Sequence, residues 1–97
     1  MKNIEIWNDF SHEIISKLDY PIKNSLEILE ISKTITEKLE IFQQISLVNL
    51  IQIIWWRKTK NISLVKKLEN LKSLLRRNIQ PRLAWEIAFL KISMEDI

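Results

Sequence analysis

The sequence predicts an all-α fold, a single compact bundle of about five helices. Three observations carry that prediction. Among 97 residues there is no glycine, so hairpin turns that rely on a left-handed glycine have nothing to use. Apolar residues recur three and four positions apart through most of the chain, the spacing of one helix face. Both prolines, Pro21 and Pro81, stand at the boundaries of these periodic stretches and not inside them. The length suits one domain over 1–97, with a lead-in segment at 1–10 and a helical bundle over 11–93. With 46% hydrophobic and 28% charged residues, the balance is that of a folded chain and not of a disordered one.

The elements follow in order. In the lead-in segment, Trp7 and Phe10 are expected to pack down on the bundle. Ser11 is placed to cap a first helix running to about Leu18, with Ile14, Ile15 and Leu18 inward and Glu13 paired to Lys17 one turn on. Asp19, Tyr20 and Pro21 end it, because the residue before proline avoids helical backbone angles. A second helix runs from about Asn24 to Thr36. Leu26, Leu29, Ile28, Ile31 and Ile35 form its buried face, and Glu27, Glu30 and Lys33 face water. A break is expected between Thr36 and Leu39. The third helix runs from about Glu40 to Arg57, and its apolar residues fall all round the axis. A helix of that kind is covered on most sides, so it is expected at the centre of the bundle or partly under a partner.

Lys58 to Lys60 reads as a turn, with Asn61 or Ser63 capping a fourth helix. Leu64, Leu68, Leu71 and Leu75 make one stripe, and Lys66, Asn70, Ser73 and Arg77 lie opposite. Asn78 is a suitable left-handed stop in a chain without glycine. Pro81 suits the first turn of a fifth helix, where a missing N–H costs nothing. That helix, from Pro81 to about Ser93, carries two apolar stripes. Leu83, Ile87 and Leu90 form one, and Trp85, Phe89 and Ile92 form the other on the far side. One stripe fills the core, and the other needs a second surface, from the bundle or from another chain.

The inventory for catalysis is thin. Without glycine there is no phosphate loop, dinucleotide fingerprint or nucleophile elbow. Without cysteine there is no disulfide, thiolate metal site or thiol nucleophile. His12 is the one histidine and reads as a surface or capping residue. The carboxylate pairs Glu27/Glu30 and Glu37/Glu40 lack a neighbouring histidine and read as solvated charges. No nucleophile, base and orienting group can be assembled, so no enzyme activity, cofactor, metal or small-molecule substrate is expected. The longest unbroken apolar run, Ile53 to Trp56, is far too short to span a membrane, and no signal region precedes Glu5, so a cytoplasmic location is expected.

The net charge of +3 is unevenly placed. Residues 1–48 hold five basic and eight acidic side chains, and residues 49–97 hold ten and four. Between Arg57 and Arg82, nine cations face the single Glu69. Arg57, Lys58, Lys60, Lys66, Lys67 and Arg77 are therefore candidates for phosphate contact, with Trp55 and Trp56 beside them. Nothing among them reads a base. The asymmetry reads either as a solvated face or, in function, as the mark of a stand-alone, sequence-independent nucleic-acid-binding helical domain. Trp55 and Trp56 point about 100° apart on a helix and cannot form one stacking platform.

The C-terminal third adds a second line. Its helix ends in a turn at Asn78, and Gln80-Pro81-Arg82-Leu83-Ala84-Trp85-Glu86 opens the next helix. This segment resembles the last collar helix of the bacterial clamp-loader subunits, with the delta-prime subunits of DNA polymerase III the nearest likeness. Leu39-Glu40-Ile41-Phe42-Gln43-Gln44 is similar to the start of that family's long collar helix, and Ile54-Trp55-Trp56-Arg57 to its end. The likeness covers residues 24–93. It implies a helical oligomerisation collar that joins subunits of the gamma/tau and delta types in the assembly that loads the sliding clamp onto primed DNA. None of that family's nucleotide-binding motifs is in this chain, so the resemblance implies assembly and not ATP hydrolysis. On this basis Trp55, Trp56, Trp85, Phe89 and Ile92 are candidates for subunit contact, with packing in the chain's own core as the alternative for each. Arg82 and Glu86 are expected to form an ion pair, within the helix or across subunits.

Overall fold

The computed structural model describes residues 12–19 and 21–94. The predicted cap at Ser11, the lead-in segment with Trp7 and Phe10, and Tyr20 lie outside the described residues. Five helices follow in order: α1 over 12–17, α2 Ser25–Lys38, α3 Ile41–Thr59, α4 Ile62–Arg76 and α5 Pro81–Ser93. No strand occurs among the described residues.

Local chemistry explains each boundary. Asn24 Oδ1 accepts from the Leu26 and Glu27 N–H groups at 2.9 and 3.2 Å, which starts α2. α2 continues past Thr36 to Lys38. The Thr36 hydroxyl donates back to the carbonyls of Ser32 and Lys33 at 3.0 and 3.1 Å, so it is satisfied inside the helix and does not break it. α3 starts after Glu40, whose N–H donates to Gln43 Oε1 at 2.9 Å in a capping box. It also runs two residues past Arg57, because Thr59 Oγ1 donates to the Trp55 carbonyl at 2.8 Å. The turn shrinks to Lys60 and Asn61, and Asn61 Oδ1 caps α4 from the Ser63 N–H at 2.9 Å.

A chain without glycine must place its left-handed turns on residues that carry a Cβ. Among the described residues three do so: Lys60 (φ 53°), Asn78 (φ 54°) and Gln80 (φ 37°). Asn78 tolerates this best, and the N–H of Ile79 reaches back to the Leu74 carbonyl at 3.3 Å to close the end of α4. Gln80 is the costly one, since it lies immediately before Pro81.

Close backbone packing joins α3 to α4, α4 to α5 and α5 to α2. Among the described helices, α4 and α5 therefore hold the middle of the series, and α3 lies beside α4. Of the expectation for α3, only the wide cover fails: it meets α1, α4 and α5 from one side and is open on the other. Its core line is Gln44, Leu47, Val48, Ile51 and Trp55, while Phe42, Leu50, Ile53 and Trp56 are exposed. On α4, Leu64, Leu68, Leu71 and Leu75 are all buried, as their spacing requires.

Two indole N–H groups tie the layers together. Trp55 Nε1 donates to the Leu18 carbonyl at 2.6 Å and holds the end of α1 against α3. Trp85 Nε1 donates to Gln44 Oε1 at 2.9 Å, and Gln44 Nε2 donates to the Leu39 carbonyl at 3.0 Å. Phe89 packs edge-on against Trp85 with ring centroids 5.4 Å apart, and lies 6.1 Å from Trp55.

Two stability outcomes follow. Gln44→Ala strands the Trp85 N–H and the Leu39 carbonyl, and is expected to cost about 2–4 kcal/mol in urea unfolding. Gln43→Ala, which loses only an exposed cap, is expected to cost about 1 kcal/mol. Equal losses would show that the buried relay has no special weight. Gln80→Gly relieves the left-handed backbone and should raise stability by about 0.5–1 kcal/mol after the entropy of glycine is subtracted. A lower urea midpoint for Gln80→Gly would contradict the strain.

Candidate subunit interface

The structure divides the seven predicted contact residues. Trp55, Trp85, Phe89 and Ile92 are at most 2% exposed and belong to this chain's own core. They are interior because their rings and the two indole donors are matched inside the bundle. They present no surface to another chain. Arg82 and Glu86 pair within α5, Nε to Oε2 at 3.1 Å. Trp56, about 100° round α3 from Trp55, remains outward at 40% exposure.

The outward stripe of α5 is the other one. Leu83 and Ile87 are 44% and 41% exposed, and Leu90 is half-buried. The signal that orients α5 is Ala84 and Ala88. With Trp85, Phe89 and Ile92 they fill an arc of about 140° at helical spacing, and all five are buried. Small residues beside large ones let α5 lie close to α2 and α4. The side bearing only Leu83, Ile87 and Leu90 is left to face outward.

A second apolar surface lies between α3 and α4. Asn49, Gln52, Ile53 and Trp56 form one wall of an open groove of about 450 Å³, and Ile62, Val65 and Glu69 form the other. Ile53 and Ile62 are half or more exposed. Sequence periodicity did not single these two out, because each is one apolar residue among many on a helix that is apolar all round or near a helix start.

The six candidate cations do not form one surface. Lys58 pairs with Asp19, which reinforces the join of α1 to α3. Lys60 Nζ lies over the Trp56 ring, 5.4 Å from its centre. Lys67 Nζ donates to Ser63 Oγ at 3.0 Å. Arg57 and Lys66 are exposed, one residue after Trp56 and one turn after Ile62, whereas Arg77 is at the other end of α4, roughly 16 Å along its axis from Lys66. Lys72 is buried. Its Nζ donates to Asn49 Oδ1 at 2.7 Å and meets Glu69 Oε1 at 2.8 Å, so it joins α4 to α3 and adds nothing to a basic face.

Among the described residues no group of three or more His, Cys, Asp or Glu is placed to hold a metal ion. Glu37 pairs with Lys33 at 3.9 Å, and Glu27 and Glu30 line a groove between α1 and α2 with Glu13 and Lys17. No described helix is long and apolar enough to cross a membrane.

The hydrogen bond from Lys72 holds the Glu69 carboxyl below its ordinary value of 4.5; partial desolvation opposes this, and the Lys72 charge, Gln52 and Arg76 add to the lowering. A lowered carboxyl stabilises the fold above its unfolded value and loses that contribution as pH falls through the folded one. The stability gap between the natural chain and Glu69→Gln is therefore expected to be constant from neutral pH down to about 5 and to close on further acidification. Denaturant titrations over this range check it, and a gap independent of pH would refute the pairing.

No curated protein and no solved structure matches the chain. One family model does, that of the cyanobacterial DNA polymerase III delta prime C-terminal domain, over residues 1–92. The match spans nearly the whole sequence, and the chain belongs to the family of cyanobacterial DNA polymerase III delta-prime C-terminal domains.

Proposed function

We propose that this chain is a helical collar, an oligomerisation module that helps assemble the DNA polymerase III clamp loader. Its partners in this proposal are the collar domains of gamma/tau-type and delta-type subunits, and its setting is the cytoplasm. It contributes packing surface to a complex that loads the sliding clamp onto primed DNA, and no catalytic step. Family membership supplies the context. The observation that carries the role is the outward stripe of α5, where Leu83 and Ile87 stay exposed although the helix has already filled its share of the core. Apolar side chains one turn apart on the open side of a helix suit side-by-side packing with another helix. Trp56 remains a candidate contact from α3, and Arg82, paired with Glu86 at the edge of α5, frames the stripe.

Sequence-independent nucleic-acid binding is the competing function. The separation of Arg77 from Arg57, Lys60 and Lys66, and the internal engagement of Lys58 and Lys67, weigh against a continuous phosphate track.

Size-exclusion chromatography with light scattering tests the two. The chain is run with the collar regions of partner subunits at low and high salt. Co-elution that survives high salt, and that Leu83→Asp with Ile87→Asp weakens about tenfold or more, is the expected result. A monomer that ignores every partner, or an association that salt abolishes and the double variant leaves intact, would overturn the collar role.

A further inference from the structure

The groove between α3 and α4 has a chemistry of its own. Its floor is aliphatic and aromatic, from Ile53, Trp56, Ile62 and Val65. Its surroundings are cationic. Lys60 lies over Trp56, Arg57 follows Trp56 in α3, and Lys66 stands one turn on from Ile62 in α4. The one acid on the wall, Glu69, is neutralised by Lys72 at 2.8 Å. The groove therefore offers apolar pockets inside a positive rim.

We propose that this groove binds an acidic amphipathic helix of another polypeptide. The helix places bulky apolar residues, spaced three and four apart, against Ile53, Trp56 and Ile62. Its flanking Asp or Glu side chains meet Arg57, Lys60 and Lys66. The two walls are antiparallel helices joined by the two-residue turn Lys60–Asn61, and a third helix laid along the seam completes a packing that α3 and α4 begin. A nucleic acid is the poorer fit. Trp56 is the one aromatic ring among the groove's lining residues, and an ammonium already covers it. The proposal concerns the groove and not the α5 stripe; the two readings share Trp56, and Leu83→Asp with Ile87→Asp tests the collar role without touching the groove.

The test uses the full chain and two fluorescent helical peptides of about 16 residues. Both carry Leu at helical spacing. One has Glu at the flanking positions and its twin has Lys. Anisotropy titrations at moderate salt are expected to show binding of the Glu peptide and at least about tenfold weaker binding of the Lys twin. Trp56→Ala should weaken the Glu peptide about tenfold, and Lys66→Glu should weaken it while strengthening the Lys twin. Trp56 and Lys66 are exposed, so circular dichroism should be unchanged in both variants. The proposal fails if the Glu peptide does not bind, if both peptides bind alike, or if Trp56→Ala leaves its affinity intact. It also fails if oligothymidine binds in a Trp56-dependent way, which assigns the groove to nucleic acid. A dimer in light scattering that Trp56→Ala dissolves assigns the groove to a second copy and overturns it equally.

Discussion

An indole placed in an apolar interior brings a hydrogen-bond donor that costs about 1–3 kcal/mol if nothing accepts it. Among the described residues two are buried, Trp55 and Trp85, and the matching of those donors ties the helices together. Trp55 reaches a carbonyl at the end of α1, so the packing of α1 follows from a residue far along α3. Trp85 reaches Gln44, and Gln44 in turn satisfies Leu39, so one relay joins α5, the start of α3 and the end of α2. Phe89 sits against both rings. Once Trp85 faces inward, the helical period dictates the rest of α5. Phe89 and Ile92 go in with it, and Leu83 and Ile87 are left outside. The candidate interface is thus a consequence of how the core meets its polar requirements.

Much of this was legible in the residues. The leucine stripe of α4, the stop at Asn78 and the opening of α5 at Pro81 follow from spacing and backbone preference alone. The orientation of α5 did not follow from its two stripes, because periodicity separates faces without saying which one is inward. Ala84 and Ala88 held that information, since small residues mark the side where another helix lies close. Gln44 was hidden for a different reason. A glutamine among apolar residues looks like an interruption, and its partner Trp85 is 41 positions away. The two extra residues at the ends of α2 and α3 go with Thr36 and Thr59 donating to their own helices, a choice that hydroxyl side chains leave open. The apolar circumference of α3 marked a helix with much to cover, but not where the cover comes from.

Charge counting overstated the basic surface for a physical reason. A lysine has a long apolar stem and a mobile charge, so its place in the sequence says little about where the charge ends up. Lys58 spends its charge on Asp19 and Lys72 on Glu69 and Asn49. Both join helices, one pairing α1 to α3 and the other α4 to α3. Of the remaining cations, Lys60 lies over Trp56 at the apolar seam between α3 and α4, and Arg57 and Lys66 follow Trp56 and Ile62 on their helices, while Arg77 stands at the far end of α4. A cation beside an exposed ring is the feature behind the proposal of a partner that brings both apolar and acidic groups.

The two outward apolar surfaces bear on stability as well as on recognition. A chain of this length buries only about 60–65% of its unfolded surface, so its margin against unfolding is small. Leu83 and Ile87 on α5, and Ile53, Trp56 and Ile62 around the groove, remain in contact with water in the isolated chain. A partner that covers either surface binds the folded state and not the unfolded one, and so adds stability in proportion to its occupancy. α4 forms a wall of the groove with one side and packs on α5 and α3 through its buried leucines with the other. The same helix that leaves Ile62 and Val65 at the groove carries Leu64, Leu68, Leu71 and Leu75 into the core. The core takes one face of α4 and the groove a neighbouring one, so the apolar surface left open at the groove is not needed to hold the fold.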